Sequence, residues 1–138
     1  MTSSAEQQGE IGIASSDARE FDAVMQANIV RVFNERDPDR RRVALSELYS
    51  EGATLYDPET VAIGWDAISQ AVEDLLQRLP PDFAFTVAGH AVGHNGAARL
   101  FWRAGPSDGP VAVTGTDVAH IKNGRIKLLY VFVDPGAH

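Results

Sequence analysis

No cysteine occurs in the 138 residues, which excludes a disulfide framework, a thiol nucleophile and any metal site built on thiolates. Positive charge is scarce: Lys and Arg total 12 against 19 acidic residues, for a net charge of −7. That balance opposes non-specific binding to nucleic acid or to an anionic membrane, so neither is expected as a partner. No apolar run approaches the length of a membrane span. The first residues lack a basic stretch leading into an apolar one, so a soluble, cytoplasmic protein is expected. Metal ligands at usable spacing are missing too. His90 and His94 stand four apart in a stretch that reads as a strand, where four residues span about 13 Å, too far to share one ion. Neither a metal nor an organic cofactor is expected. No repeat and no second domain can be discerned.

What is present suits one domain large enough to bury roughly two-thirds of its unfolded surface. Residues 1–16, rich in Ser, Gln, Glu and Gly without apolar periodicity, are expected to be a disordered tail, leaving 17–138 as the domain. Asp17, with Glu20 three residues on, reads as a helix start. Phe21, Val24, Met25, Ile29, Val32 and Phe33 then recur at helical spacing, predicting a helix over about Ala18–Glu35. Asn28 shares that stripe, so its amide must pin a backbone group or face a polar ligand. Asp37-Pro38 opens a second, short helix. There Arg40, Arg41 and Arg42 read as a solvated face, and Gly52 reads as a stop. Ala53–Tyr56 and Val61–Ile63 are short strands. Gly64-Trp65-Asp66 opens a third helix, ended by Pro80-Pro81.

From Phe83 the pattern changes to strands and turns. Asn95-Gly96 and Asn123-Gly124 are two-residue hairpin signals, and Gly105–Pro110 supplies a longer turn. They divide the rest into strands at about Phe83–His94, Ala97–Ala104, Val111–Lys122 and Arg125–Asp134. Helices first and a meander last imply an α+β fold: three N-terminal helices on a strongly curved, mostly antiparallel sheet, a cone with an internal pocket.

The stretch Val111–Ile121 carries the functional signal. At a period of two, one face holds Val111, Val113, Gly115, Asp117, Ala119 and Ile121, apolar except for one carboxyl. An acid so placed either ionises against a partner or stays protonated. Arg99, in the preceding strand, is the candidate partner. If Arg99 and Phe101 face the pocket, Leu100 and Trp102 lie outside and form an apolar dimer interface. Tyr130 and Phe132 share a parity and are candidates to line the pocket, as are Phe33 and His90.

Several words of this chain, in order, resemble the nuclear transport factor 2-like superfamily, which includes steroid isomerases and small polyketide cyclases. They are Phe33-Asn34-Glu35-Arg36-Asp37, Tyr56-Asp57-Pro58, Gly64-Trp65-Asp66-Ala67-Ile68, Thr114-Gly115-Thr116-Asp117 and Asn123-Gly124-Arg125-Ile126. The resemblance covers about Asp17 to Asp134. In the ketosteroid isomerase branch it is similar to, an Asp-Pro after the first strand carries the general base, implying that role for Asp57. A later-strand acid stays protonated and donates to the developing oxyanion, implying Asp117. The branch's oxyanion tyrosine falls on Ile29, which donates nothing. Asn28 lies about 100° round the helix, and Tyr56 and Tyr130 are the other candidate donors. The epoxide hydrolase branch needs an Arg-X-Asp where this chain has Arg99-Leu100-Phe101.

The resemblance thus implies a cofactor-independent enzyme, an isomerase or aldol-type cyclase, acting on an apolar carbonyl compound. The alternative is a module of the same fold that binds a small ligand or docks a protein without chemistry. The catalytic candidates are Asp57 and Asp117. The ligand-binding candidates are Asn28, Phe33, Tyr56, His90, Arg99, Phe101, Tyr130 and Phe132. The expected partners are an apolar small molecule and a second copy, a homodimer through the outer face of the sheet.

Overall fold

The computed structural model describes residues 18–136, so the tail over 1–16 and the proposed helix start at Asp17 lie outside the described residues. Helix α1 occupies residues 18–33, and its last turn, Ile29–Phe33, is π-helical, with the Asn34 N–H donating to Ile29 O at 3.0 Å. Helix α2 spans Pro38–Leu48 and starts as Asp37-Pro38 predicts, the Asp37 carboxylate accepting from Arg40 N–H at 3.0 Å. Strands β1 (Tyr49–Tyr56) and β2 (Val61–Ile63) precede helix α3 (Trp65–Gln77). Strands β3 (Phe83–His94), β4 (Ala97–Pro106), β5 (Val113–Lys122) and β6 (Arg125–Val133) follow.

The six strands form one mixed, curved sheet in the order β2-β1-β6-β5-β4-β3. All neighbours run antiparallel except β1 and β6, which are parallel. Both Asn-Gly pairs make the predicted turns, each of the four residues at positive φ. Curvature comes from bulges. Register slips in β3 between Ala88 and Val92, where Gly89 has φ +86°. Helix α1 clasps that bulge, because Asp22 accepts from Ala91 N–H at 2.7 Å. Further along, the Asn34 side chain exchanges two hydrogen bonds with the Phe85 backbone, at 2.7 and 2.8 Å. The helix is thereby fixed across the concave side of the sheet.

Two expectations are corrected here. Gly52 does not stop α2: the helix ends at Leu48, and Tyr49 opens β1 with its ring buried, Gly52 falling where the register slips between Tyr49 and Thr54. The arginine run is not one solvated face. Arg41 is fully buried, donating to Glu35 O at 2.6 Å and Ser69 Oγ at 3.1 Å and pairing with Glu73 at 2.6 Å, so it ties α2 to the α1–α2 connection and to α3. Arg40 pairs at the surface with Glu35, and Arg42 with Asp66. Among the described residues, no helix is long and apolar enough to cross a membrane.

Candidate functional site

The concave face of the sheet is made by alternate residues whose parity the strand register sets. Asp117 pairs with Leu100 on one side and Val131 on the other, while Gly115 pairs with Trp102 and Val133. These residues point inward, and with Phe33, Leu75, Leu79 and Phe85 most of them surround a cavity of about 440 Å³. The walls are largely apolar. The polar and charged lining is confined to Asp117 and to Asp57, Glu59 and Arg78. The volume lies within the range of small-molecule sites.

Asp117 is 2% exposed. Its Oδ1 accepts from the Trp102 indole N–H at 2.9 Å, and its other oxygen has no hydrogen-bond partner among the described residues. Burial pushes its pKa up to about 7, with the Trp102 bond pulling weakly the other way. One donor cannot replace the solvation that a carboxylate loses, so the acid keeps its proton to near neutrality.

Trp102 is held in place by its surroundings. Its ring meets Phe85 edge-to-face at 5.5 Å, and Phe85 meets Phe33 in the same way at 6.1 Å. Space for the indole comes from Gly115 across the strand pair, where a Cβ would overlap both the Trp102 ring and the Phe132 carbonyl. We predict that Gly115→Ala displaces the indole, costing about 1–3 kcal/mol in urea denaturation as overpacked sites do. In that variant the Trp102 indole N–H signal should shift in proton NMR. An unmoved signal and unchanged stability would refute this.

Asp57 lines the same cavity from the β1–β2 turn. Its Oδ1 accepts from Glu59 and Thr60 N–H at 2.8 and 2.7 Å, the turn-forming role open to any Asp-Pro. Its second oxygen makes no hydrogen bond to another described residue. Glu59 and Arg78 form an exposed ion pair of 3.3 Å beside it. Both candidate acids therefore border one cavity.

Other candidates are placed elsewhere. Arg99 and Phe101 lie on the outer face, the guanidinium 4.2 Å above the Phe101 ring, because Leu100 and not Arg99 pairs with Asp117. Leu100 and Trp102 are thus interior, the reverse of the outer patch tied to an inward Arg99, and Arg99 does not clamp Asp117. Tyr56, Tyr130 and Phe132 are also outside. Tyr130 pairs with Val118 and Phe132 with Thr116, both on the parity opposite Asp117, and the three rings stack at 4.6 and 6.3 Å. Neither Tyr56 nor Tyr130 can donate into the cavity. His90 sits on the β3 bulge, its side chain 86% exposed and 3.1 Å from Asp22. Phe33 lines the cavity as expected. Asn28 is buried but does not border it; Tyr49 Oη–H donates to its Oδ1 at 2.5 Å.

Sequence reasoning tied Trp102 to the outer face and gave neither Gly115 nor Tyr49 a part in the site. A glycine inside a strand opposite a large aromatic is the one signal that could have flagged the first two.

Three helices on a curved six-stranded sheet, with a cavity that a buried acid lines, define a protein of the nuclear transport factor 2-like, cystatin-like fold. Within that class the chain belongs to the SnoaL-like domain family, which residues 26–129 match. It is similar in structure to a protein named as a SnoaL-like isomerase from Agrobacterium tumefaciens, with 30% identity and a TM-score of 0.75 over 82% of this chain and 96% of that one. More distant likenesses support the fold alone. One is to a protein named as a ketosteroid isomerase from Kribbella flavida, with 14% identity and a TM-score of 0.66 over 88% of this chain and 83% of that one. Another is to a protein named as a polyketide cyclase from Sinorhizobium meliloti, with 20% identity and a TM-score of 0.63 over 79% and 93%. No curated protein matches the chain in sequence.

Proposed function

We propose that the protein is a small enzyme performing acid–base chemistry, isomerisation or aldol-type ring closure, on an apolar carbonyl compound held in this cavity. The observation that carries the reading is Asp117: a nearly inaccessible acid with one oxygen tied to Trp102 and the other unengaged, on a cavity that Asp57 also borders. In the proposed reaction the Asp57 carboxylate takes a proton from the carbon next to the substrate carbonyl. The C–H electron pair moves into the enolate, and the neutral Asp117 O–H donates a hydrogen bond to its oxygen. Returning the proton to another carbon gives an isomer. Alternatively, the enolate carbon attacks a second carbonyl, whose π electron pair moves to its oxygen; that oxygen takes the proton back from Asp57 and a ring is closed.

Fluorenone, an apolar ketone that cannot enolise, tests the recognition step. We predict that it quenches tryptophan fluorescence with an affinity that is steady below about pH 6. Above pH 7 the affinity should fall about tenfold per pH unit, as Asp117 loses the proton it donates. An affinity constant up to about pH 9, or no binding, would count against a neutral Asp117 as the carbonyl donor.

A second reading, ligand binding without chemistry, is favoured by one observation: both turn N–H groups already occupy Asp57 Oδ1. The Asp57 variant considered in the Discussion separates the two.

We also propose that a second copy covers the outer face of the sheet. Tyr130 and Phe132 are 40% and 53% exposed there, near exposed Phe101, Val61 and Ile63, and monomers seldom leave such a patch uncovered. Sedimentation equilibrium should give a dimer mass for the full chain and a monomer mass for Phe132→Lys. A monomer mass for both would refute this.

A further inference from the structure

Among the described residues lining the cavity there is a single cation, Arg78, which stands just past the end of α3. Arg78 and Glu59 are exposed whereas Asp117 is not, so the pair marks the open side of the cavity. The backbone beneath Arg78 is braced. Its N–H donates to Leu75 O at 3.1 Å, and Arg36 donates to Leu76 O and Pro80 O at 3.3 and 3.0 Å. The guanidinium itself is loosely held. Nη1 meets Glu59 Oε2 at 3.3 Å, against 2.6 Å in the ion pairs of Arg41 and Arg42, and its other N–H groups have no hydrogen-bond partner among the described residues. An exposed pair of this kind contributes little, so a ligand carboxylate can take the place of Glu59, which then turns to water. Deeper in, the lining is apolar except for Asp117. An anionic group cannot lie there, because nothing would replace the solvation it loses.

We propose that the substrate is an amphiphilic anion, a ketone whose apolar body carries a carboxylate, and that Arg78 binds this carboxylate at the cavity mouth while the carbonyl lies inside at Asp117. The inference rests on the acid–base reading of the cavity and narrows its substrate class. Two polar contacts at opposite ends fix which end of the molecule enters, a choice that apolar walls alone leave open. A guanidinium suits the task because its fork meets both carboxylate oxygens at once. A cationic group at the same mouth would instead pair with Asp57 and tie up the proposed base. Asp57 and Glu59 both repel an anion, so the preference for one is modest, and removing the Glu59 charge should strengthen it.

Three fluorenones differing in one substituent test this: the 2-carboxylate, the 2-carboxamide of the same shape, and the 2-aminomethyl cation. Tryptophan quenching by each is titrated at about pH 6, where the carboxylate is ionised and Asp117 keeps its proton. The full chain should bind the carboxylate about fivefold more tightly than the carboxamide, and the preference should shrink in about 0.5 M salt. Arg78→Gln should abolish or reverse the preference, whereas Glu59→Gln should raise it to about tenfold or more. If the Glu59–Arg78 pair only held the mouth in shape, both variants would move the two affinities together, so the opposite signs are the signature. The proposal is overturned by a wild-type chain that does not favour the carboxylate, by a preference that survives in Arg78→Gln, or by tighter binding of the amine. Binding of the carboxamide without any gain for the carboxylate would sink this inference and leave the cavity reading standing. Binding of none of the three would sink both.

Discussion

Asp117→Asn is expected to be more stable than the wild-type chain at about pH 8, by on the order of 4 kcal/mol, and equally stable at about pH 4. The folded chain holds the Asp117 proton up to about pH 7, whereas the ordinary value is 3.8. Between those values the folded state binds more protons than the unfolded state, so stability falls as pH rises through the window. The loss is complete above the folded value, where a charged carboxylate must be kept out of water. Asparagine has nearly the same shape, accepts from the Trp102 indole in the same way, and never ionises. Subtracting urea denaturation curves of the two proteins at each pH isolates this group from every other titration. A difference that is flat with pH would show that Asp117 is ionised or solvated in the folded chain, and the proposed donor role would fall with it. The amide also keeps an N–H to offer, so fluorenone binding in the variant should lose its decline above pH 7.

Asp57→Asn is expected to slow proton abstraction by about a thousandfold while leaving the fold and fluorenone affinity unchanged. The substrate need not be known. Exchange of the α-hydrogens of tetralone in deuterium oxide, followed by proton NMR, reports the abstraction step alone. The amide oxygen can still accept from Glu59 and Thr60 N–H, so the β1–β2 turn should survive. What disappears is the basic oxygen on the cavity border. Exchange as fast in the variant as in the wild type would assign the base elsewhere. No catalysed exchange in either protein would favour ligand binding without chemistry.

The legible parts of the chain were those where one local signal had a single solution. Each Asn-Gly pair allowed one kind of turn, Asp37-Pro38 one helix start, and the alternation around Asp117 one inward face, since its other face carries Thr114, Thr116 and His120. Strands β4 and β6 offered no such asymmetry. In β4, Leu100 and Trp102 alternate with Arg99 and Phe101, and either an apolar face or an arginine aimed at Asp117 could be inward; in β6, Leu129 and Val131 alternate with Tyr130 and Phe132, so both faces are apolar and parity stays open. The outer face is in fact covered with exposed aromatic rings, and this is why Tyr130 and Phe132 were expected inside.

The chain by itself determined the order of helices and strands, the hairpins, the resemblance to its superfamily and the inward aim of Asp117, because each follows from residues a few positions apart. Only tertiary structure decided which arginine of three is buried, which strand faces line the cavity, and that Asp57 and Asp117 border the same space. It also decided that Trp102, and not Arg99, answers Asp117. These outcomes depend on strand register and on which helix packs over which strand, and a one-residue slip in strand register would exchange every inward side chain of that strand for its outward neighbour.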